Sequence, residues 1–279
     1  MSKEDQFRFV SLLALELENG DIILPSLPDV VLKIRKMLES NTADFDQVSR
    51  AVSVDPVLVS KLFVYANSAY YNRANIKIET LDAAIGRLGF EVVRNTAMSL
   101  AMKQLYAAEK HSHAAKHLRA IWARGMKLSC MAFAVGRRTT AVNEETAYLC
   151  GLMNEVGKLY IVTKAEEFPE ILGNEESLQA MFEEWNGQIS KSIIESWGFD
   201  EEVAESADPA QYLNEDPESD IRLVDVIWAS RHLVDLTDPE TADIDEMPSC
   251  VKLGINSGTL ATVLGEYRKK LTSMQESLS

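Results

Sequence analysis

Apolar and polar positions recur along this chain with a helical period. Over residues 4–18, Phe7, Val10, Leu13 and Leu17 return at three- and four-residue intervals. That spacing predicts a helix ending at Asn19-Gly20. The segment LPSLP (24–28) predicts an extended turn, because each proline pushes its predecessor out of the helical region. Helices are then expected from about Asp29 to Leu38 and from Phe45 to Val52. Asp55-Pro56 is a start signal, a carboxylate N-cap followed by proline at the first helical position. The helix it opens places Leu58, Leu62, Tyr65 and Ala66 on one side. Thr80 is placed to cap LDAAIGRL, which stops at Gly89. Further helices are expected over 90–108, 114–136, 144–165, 177–184, 186–196, 200–206, 221–236 and 250–272. The only strand candidate is DIIL (21–24). The class is therefore all-α, with a lobe boundary expected at 108–115, where AEKHSH interrupts the apolar periodicity.

Composition narrows the setting. A chain of 279 residues with 46% hydrophobic content can bury a substantial core. No apolar run approaches the roughly 20 residues that cross a bilayer, and MSKEDQFRF lacks the pattern of a signal peptide. Cys130, Cys150 and Cys250 lie far apart with no CxxC, as expected of reduced thiols in a cytoplasmic protein. The net charge of −15 is unevenly spread. Residues 1–140 hold 19 Lys and Arg against 14 Asp and Glu (+5), and residues 141–279 hold 9 against 29 (−20). The two readings are solvated faces, or attraction between lobes or toward an acidic partner. So acidic a chain is not expected to bind nucleic acid.

Little catalytic chemistry is visible. There is no phosphate-binding glycine loop and no GxSxG elbow. Of the four histidines, His113 and His117 are four apart and would share a face on a helix, next to His111 in a polar, basic segment. Plain solvated histidines or an adventitious zinc or nickel site are the two readings. His232 follows Arg231 on an apolar helix and is expected at the edge of the core.

The most specific text lies in the first half. LPSLPDVVLKIRKML, VDPVLVSKLFVYANSAYYN and IETLDAAIGRLGFEVVRNTAMSLA carry Leu-Pro-x-Leu-Pro, Asp55-Pro56, Ala66-Asn67-Ser68-Ala69-x-Tyr71, Ala84-Ile85-x-x-Leu88-Gly89 and Arg94-Asn95. In order and spacing this closely resembles the HDOD family, bacterial signalling modules distantly related to HD-superfamily phosphohydrolases. The resemblance implies an HD-like fold of two packed helical lobes, with an N-terminal helix (1–19), an N-terminal lobe (20–110) and an HD-like lobe (111–279). It also implies a non-catalytic role in signal transduction through unidentified signalling proteins, with no membrane and no cofactor; a small-molecule ligand between the lobes stays open. Asn67, Ser68, Tyr71, Arg94 and Asn95 are then candidates for an interlobe hydrogen-bond lattice or for an interaction site.

HD relatives hold metal with a histidine, a His-Asp pair and a late aspartate. By resemblance, those positions fall here on Arg124, on Asn154-Glu155 within ETAYLCGLMNEVGKLYIV, and near Ser230; Asn186 stands where bimetal forms add a histidine. Only Glu155 is anionic, so the metal site is expected to be lost. Arg124 is expected to hydrogen-bond Glu155, the alternative being Arg124 extended into solvent. The rival function is a divergent phosphohydrolase using Glu155, Asp225 and His232.

Overall fold

Local capping chemistry sets several helix ends in the computed structural model, which describes residues 3–22, 27–39, 44–107, 113–208, 219–236 and 244–278. Helix α1 (Lys3–Asn19) stops before Gly20, whose φ of +70° favours glycine. After α2 (Asp29–Glu39), the Asp44 carboxylate caps α3 (Phe45–Ser53). Helix α4 (Pro56–Asn67) opens as its sequence dictates: Asp55 accepts from the backbone N–H groups of Val57 and Leu58 at 2.9 and 3.0 Å. Thr80 caps α5 (Leu81–Leu88), and α6 (Phe90–Ala107) follows at once.

The remaining helices are α7 (Ala115–Gly136), α8 (Glu144–Met153), α9 (Val156–Lys164), α10 (Pro169–Leu172), α11 (Glu175–Ser196), α12 (Glu201–Glu205), α13 (Leu223–Val234), α14 (Pro248–Lys252) and α15 (Ser257–Leu278). Among the described residues there is no strand. Asp21 and Ile22 are irregular, while the rest of DIIL and most of LPSLP lie outside the described residues. Three expected boundaries change. The helix over 144–165 is two, broken at Asn154-Glu155; the pair over 177–196 is one continuous α11; and the helix over 250–272 is α14 and α15.

The chain divides into two compact units, residues 1–25 with 105–260, and residues 26–104 with 261–279. The division is not sequential: α1 groups with the second half of the chain, and most of α15 with the first. It falls inside α6 rather than in the 108–115 segment, of which 108–112 lie outside the described residues.

In the first unit, α7 packs along α8 and also against α13, while α9 packs on α11. These pairs are close because glycines face backbone. A Cβ on Gly151 would lie 2.7 Å from Ser129 Cα, and one on Gly157 would lie 2.5 Å from the Asn186 carbonyl. Helix α1 adds Phe9, edge-on to Phe168 at 5.1 Å, and Glu16, which accepts from Tyr160 Oη and Lys164 Nζ, both at 2.5 Å.

In the second unit, α4 packs on α5 and α2 on α3. Ser49 Oγ donates to Asp82 at 2.6 Å, joining α3 to α5. The C-terminal helix brings Lys270, 1% exposed, into a cluster of aromatic rings. Its Nζ lies 5.7, 5.8 and 5.7 Å from the ring centroids of Tyr65, Tyr70 and Tyr71, and donates to Tyr71 Oη at 3.1 Å.

Candidate functional site

The break between α8 and α9 is the centre of the first unit's polar chemistry. Residues 147–157 are buried throughout, so the backbone groups freed by the break need partners inside the protein. Helix α11 supplies them. Asn186 Nδ2 donates to the Asn154 carbonyl at 3.0 Å, and Asn186 Oδ1 accepts from the Lys158 N–H at 3.0 Å. Ser190 Oγ accepts from the Gly157 N–H at 2.8 Å and lies 3.1 Å from the Asn154 carbonyl. The Asn154 side chain is buried and donates to the Ser206 carbonyl at 3.4 Å.

Glu155 occupies the N-cap position of α9 with φ −105° and ψ 12°, and makes no capping bond with its side chain. Its carboxylate is 1% exposed. Oε1 accepts from Arg124 Nη1 on α7 and from Lys158 Nζ, one helical turn on, at 3.0 Å. Oε2 is buried with no hydrogen-bond partner among the described residues. Arg124 thus turns inward, as expected. Its bidentate partner is not Glu155, however, but Asp235, with Nη2–Oδ2 at 2.5 Å and Nε–Oδ1 at 3.3 Å. Burial opposes the Arg124 charge, but Glu155 and Asp235 outweigh it and hold its pKa above the ordinary value. Behind the carboxylate, Tyr106 Oη donates to the Glu155 carbonyl at 3.2 Å. Burial, helped by the Glu155 charge, pushes that phenol well above its usual pKa.

The donors at the break do not fit a divalent metal. One carboxylate faces a guanidinium and an ammonium, neither of which has a lone pair to offer. Among the described residues no three His, Cys, Asp or Glu side chains gather as a metal-binding group. Ser230 is fully buried and donates to Val226 of its own helix at 2.6 Å. The rival ligand set does not assemble. Asp225 is held by Lys252 Nζ at 3.0 Å and by the Arg222 N–H at 2.8 Å. His232 is exposed rather than at the core edge, and its Nδ1 lies 2.9 Å from the Trp228 carbonyl. His113 sits in the turn before α7, so it and His117 do not share a helical face; His111 is outside the described residues.

The candidates in the second unit have structural partners there. The Asn67 amide pairs with the Ile78 backbone as a neighbouring strand would, accepting from its N–H at 2.8 Å and donating to its carbonyl at 3.0 Å. Ser68 Oγ meets Ser273 Oγ at 3.2 Å, and Tyr71 takes the Lys270 bond. Arg94 pairs with Glu91 on its own helix at 2.5 Å and lies 3.4 Å from Asn95 Oδ1, rather than reaching the loop after α4. Arg87, not foreseen, holds that loop by donating to the Ile76 carbonyl at 3.0 Å. Lys158, Arg231 and Asp235 also escaped sequence reasoning. Only Lys158 carried a signal, its i, i+3 spacing from Glu155.

The family model of the HDOD domain matches residues 24–211, more than half of the chain. Among solved structures, the chain is similar to a protein of Shewanella amazonensis SB2B provisionally named a metal-dependent phosphohydrolase, with 22% identity and a TM-score of 0.75 over 97% of this chain and 99% of that one. It is also similar to a Marinobacter aquaeolei VT8 protein provisionally named a signal transduction protein, with 20% identity and a TM-score of 0.62 over 95% of this chain and 61% of that one. At these identities the likeness shows the fold alone. An uncharacterized protein of Treponema pallidum is 20% identical over 231 residues, 78% of this chain; the match spans 43% of that protein's length.

Proposed function

The chain belongs to the HDOD domain family, and from that premise we propose that it is a non-catalytic regulatory module of bacterial signal transduction that acts through contacts with other proteins. The observation that carries this reading is the Arg124–Glu155–Lys158 cluster. At the positions that the resemblance gives to metal ligands in HD relatives, Arg124 and Glu155 meet, and Lys158 joins them on the one buried carboxylate. A fixed cation balances charge as a metal does, but it supplies no Lewis acid and no activated water. The name of the Marinobacter relative agrees with a signalling role. Contact with another protein is supported by large apolar side chains left exposed, Val54 just before α4 and Val57 and Val64 on it. A cytoplasmic setting is supported by three buried cysteine thiols, Cys130, Cys150 and Cys250; no described helix is long and apolar enough to cross a membrane.

The test is turnover. Purified protein supplied with Mn²⁺, Fe²⁺ or Zn²⁺ is expected to hydrolyse phosphomonoesters and phosphodiesters no faster than buffer. Hydrolysis that disappears in Glu155→Gln would overturn the reading, because it would tie the activity to this cleft rather than to a contaminant.

A further inference from the structure

Outside the Glu155 carboxylate, the same cleft opens into a cavity of about 370 Å³, a size typical of small-molecule sites. Three cations reach it from three helices: Arg124 from α7, Lys158 from α9 and Arg231 from α13. Arg124 and Lys158 already hold Glu155. Arg231 makes no hydrogen bond or close ion pair among the described residues, although the Glu155 and Asp235 charges attract it; its guanidinium lies 5.4 Å from the Trp228 ring centroid. Lys158 Nζ lies 5.4 Å from the Phe182 ring centroid, so the cavity carries two aromatic rings beside its cations. The acids facing it are Asp235, 58% exposed and bound to Arg124, and Glu183, which accepts from Gln179 at 3.0 Å.

We propose that this cleft binds a small organic phosphate carrying a planar ring, with the phosphate on Arg231, Lys158 and Arg124 and the ring against Trp228 and Phe182. A tetrahedral phosphate can offer an oxygen to each of three donors arriving from different directions, where a planar carboxylate offers two. Burial disfavours the charge of two of these cations, Lys158 and Arg231, and a bound anion would offset that. Burial lowers the pKa of Lys158, and the charges of Arg124 and Arg231 lower it further against the pull of Glu155. Burial likewise lowers Arg231, and Arg124 adds to it, against the attraction of Glu155 and Asp235. A second, larger groove of about 580 Å³ beside Tyr70, Arg73 and Arg268 has exposed cations and lacks this convergence.

The proposal rests on the metal-free reading of the cleft, and the experiment separates the two. Calorimetric titration of the full chain uses phenyl phosphate, inorganic phosphate and phenol as probes. Phenyl phosphate is expected to bind about tenfold tighter than inorganic phosphate, as stacking on the rings contributes; phenol is expected not to bind. Arg231→Gln should weaken phenyl phosphate about tenfold or more, through loss of a charge-assisted contact. Asp235→Asn should strengthen it severalfold by removing a competing carboxylate, a gain that misfolding cannot imitate. No saturable binding of phenyl phosphate, or binding that neither variant changes, would overturn the proposal. Binding followed by phenol release that requires Glu155 would uphold the site and refute the non-catalytic reading instead.

Discussion

Glu155 carries its negative charge where solvent scarcely reaches, and Arg124 and Lys158 are its counter-ions. Removing one partner of a buried pair leaves a charge uncompensated, typically at a cost of about 3–5 kcal/mol. Lys158 remains in Arg124→Met, so the expected loss in urea denaturation is smaller, about 1–3 kcal/mol. Adding Glu155→Gln to that variant should restore part of it, because the stranded charge is gone. Additive losses would mean that the two side chains are not coupled. A second expectation concerns Cys250, whose thiol burial pushes up to about 11 from 9.0. The unfolded thiol ionises first, so its contribution to stability is present below about pH 9 and lost as pH rises toward 11. Native protein at pH 8 should therefore label very slowly with a thiol reagent, and all three cysteines should label in urea. Rapid native labelling at Cys250 would contradict its burial. At this scale, the meeting of Arg124 with Glu155 was legible only through the resemblance to HD relatives, which implies that both fall at metal-ligand positions. Asp235 and Arg231 were not, because nothing local ties residues on α13 and just after it to one on α7.

Helix periodicity ran through the break between α8 and α9 without registering it. An amphipathic pattern reports where burial changes sides, and residues 147–157 are buried on every side. The break is instead held by distant groups on α11, the Asn186 amide and the Ser190 hydroxyl. The converse error occurred at Trp185, where the two helices expected over 177–184 and 186–196 are one continuous α11 that runs on through Gly187. A glycine inside a helix costs about 1 kcal/mol, and packing of this buried segment overrides it. Helix ends marked by a side-chain cap, at Asp55 and Thr80, were legible because their chemistry is local. The α9–α11 contact makes a sharp prediction. In Gly157→Ala the new methyl would meet the Asn186 carbonyl at 2.5 Å, and backbone cannot easily move aside. A destabilisation of about 3 kcal/mol is expected, at the upper end for overpacking. A loss below about 0.5 kcal/mol would show that the two helices are not this close.

The order of the chain conceals how the molecule is divided. Residues 261–279, far from the first half in sequence, belong with residues 26–104, and the Ala66–Tyr71 motif shows why. Tyr71 and Ser68 bind Lys270 and Ser273 of α15. Sequence reading saw these motif residues but had no means to name a partner some 200 positions on. Deleting residues 261–279 would leave Tyr65 and Tyr71 without the helix that covers them. Amide exchange should then lose protection along α4 and α5, and unchanged protection there would contradict the grouping. The all-α class was fully legible, since a period near 3.6 persists through almost every segment. The proposal that fixed cations rather than a metal balance Glu155 bears on the whole molecule's function. It is tested most directly by the Mn²⁺ content of the purified chain after incubation with excess Mn²⁺ and gel filtration. Manganese suits the test because it prefers oxygen donors to the imidazoles of His113 and His117. Far less than one Mn²⁺ per chain is expected, unchanged in Glu155→Gln; one or two per chain, lost in Glu155→Gln, would overturn the proposal.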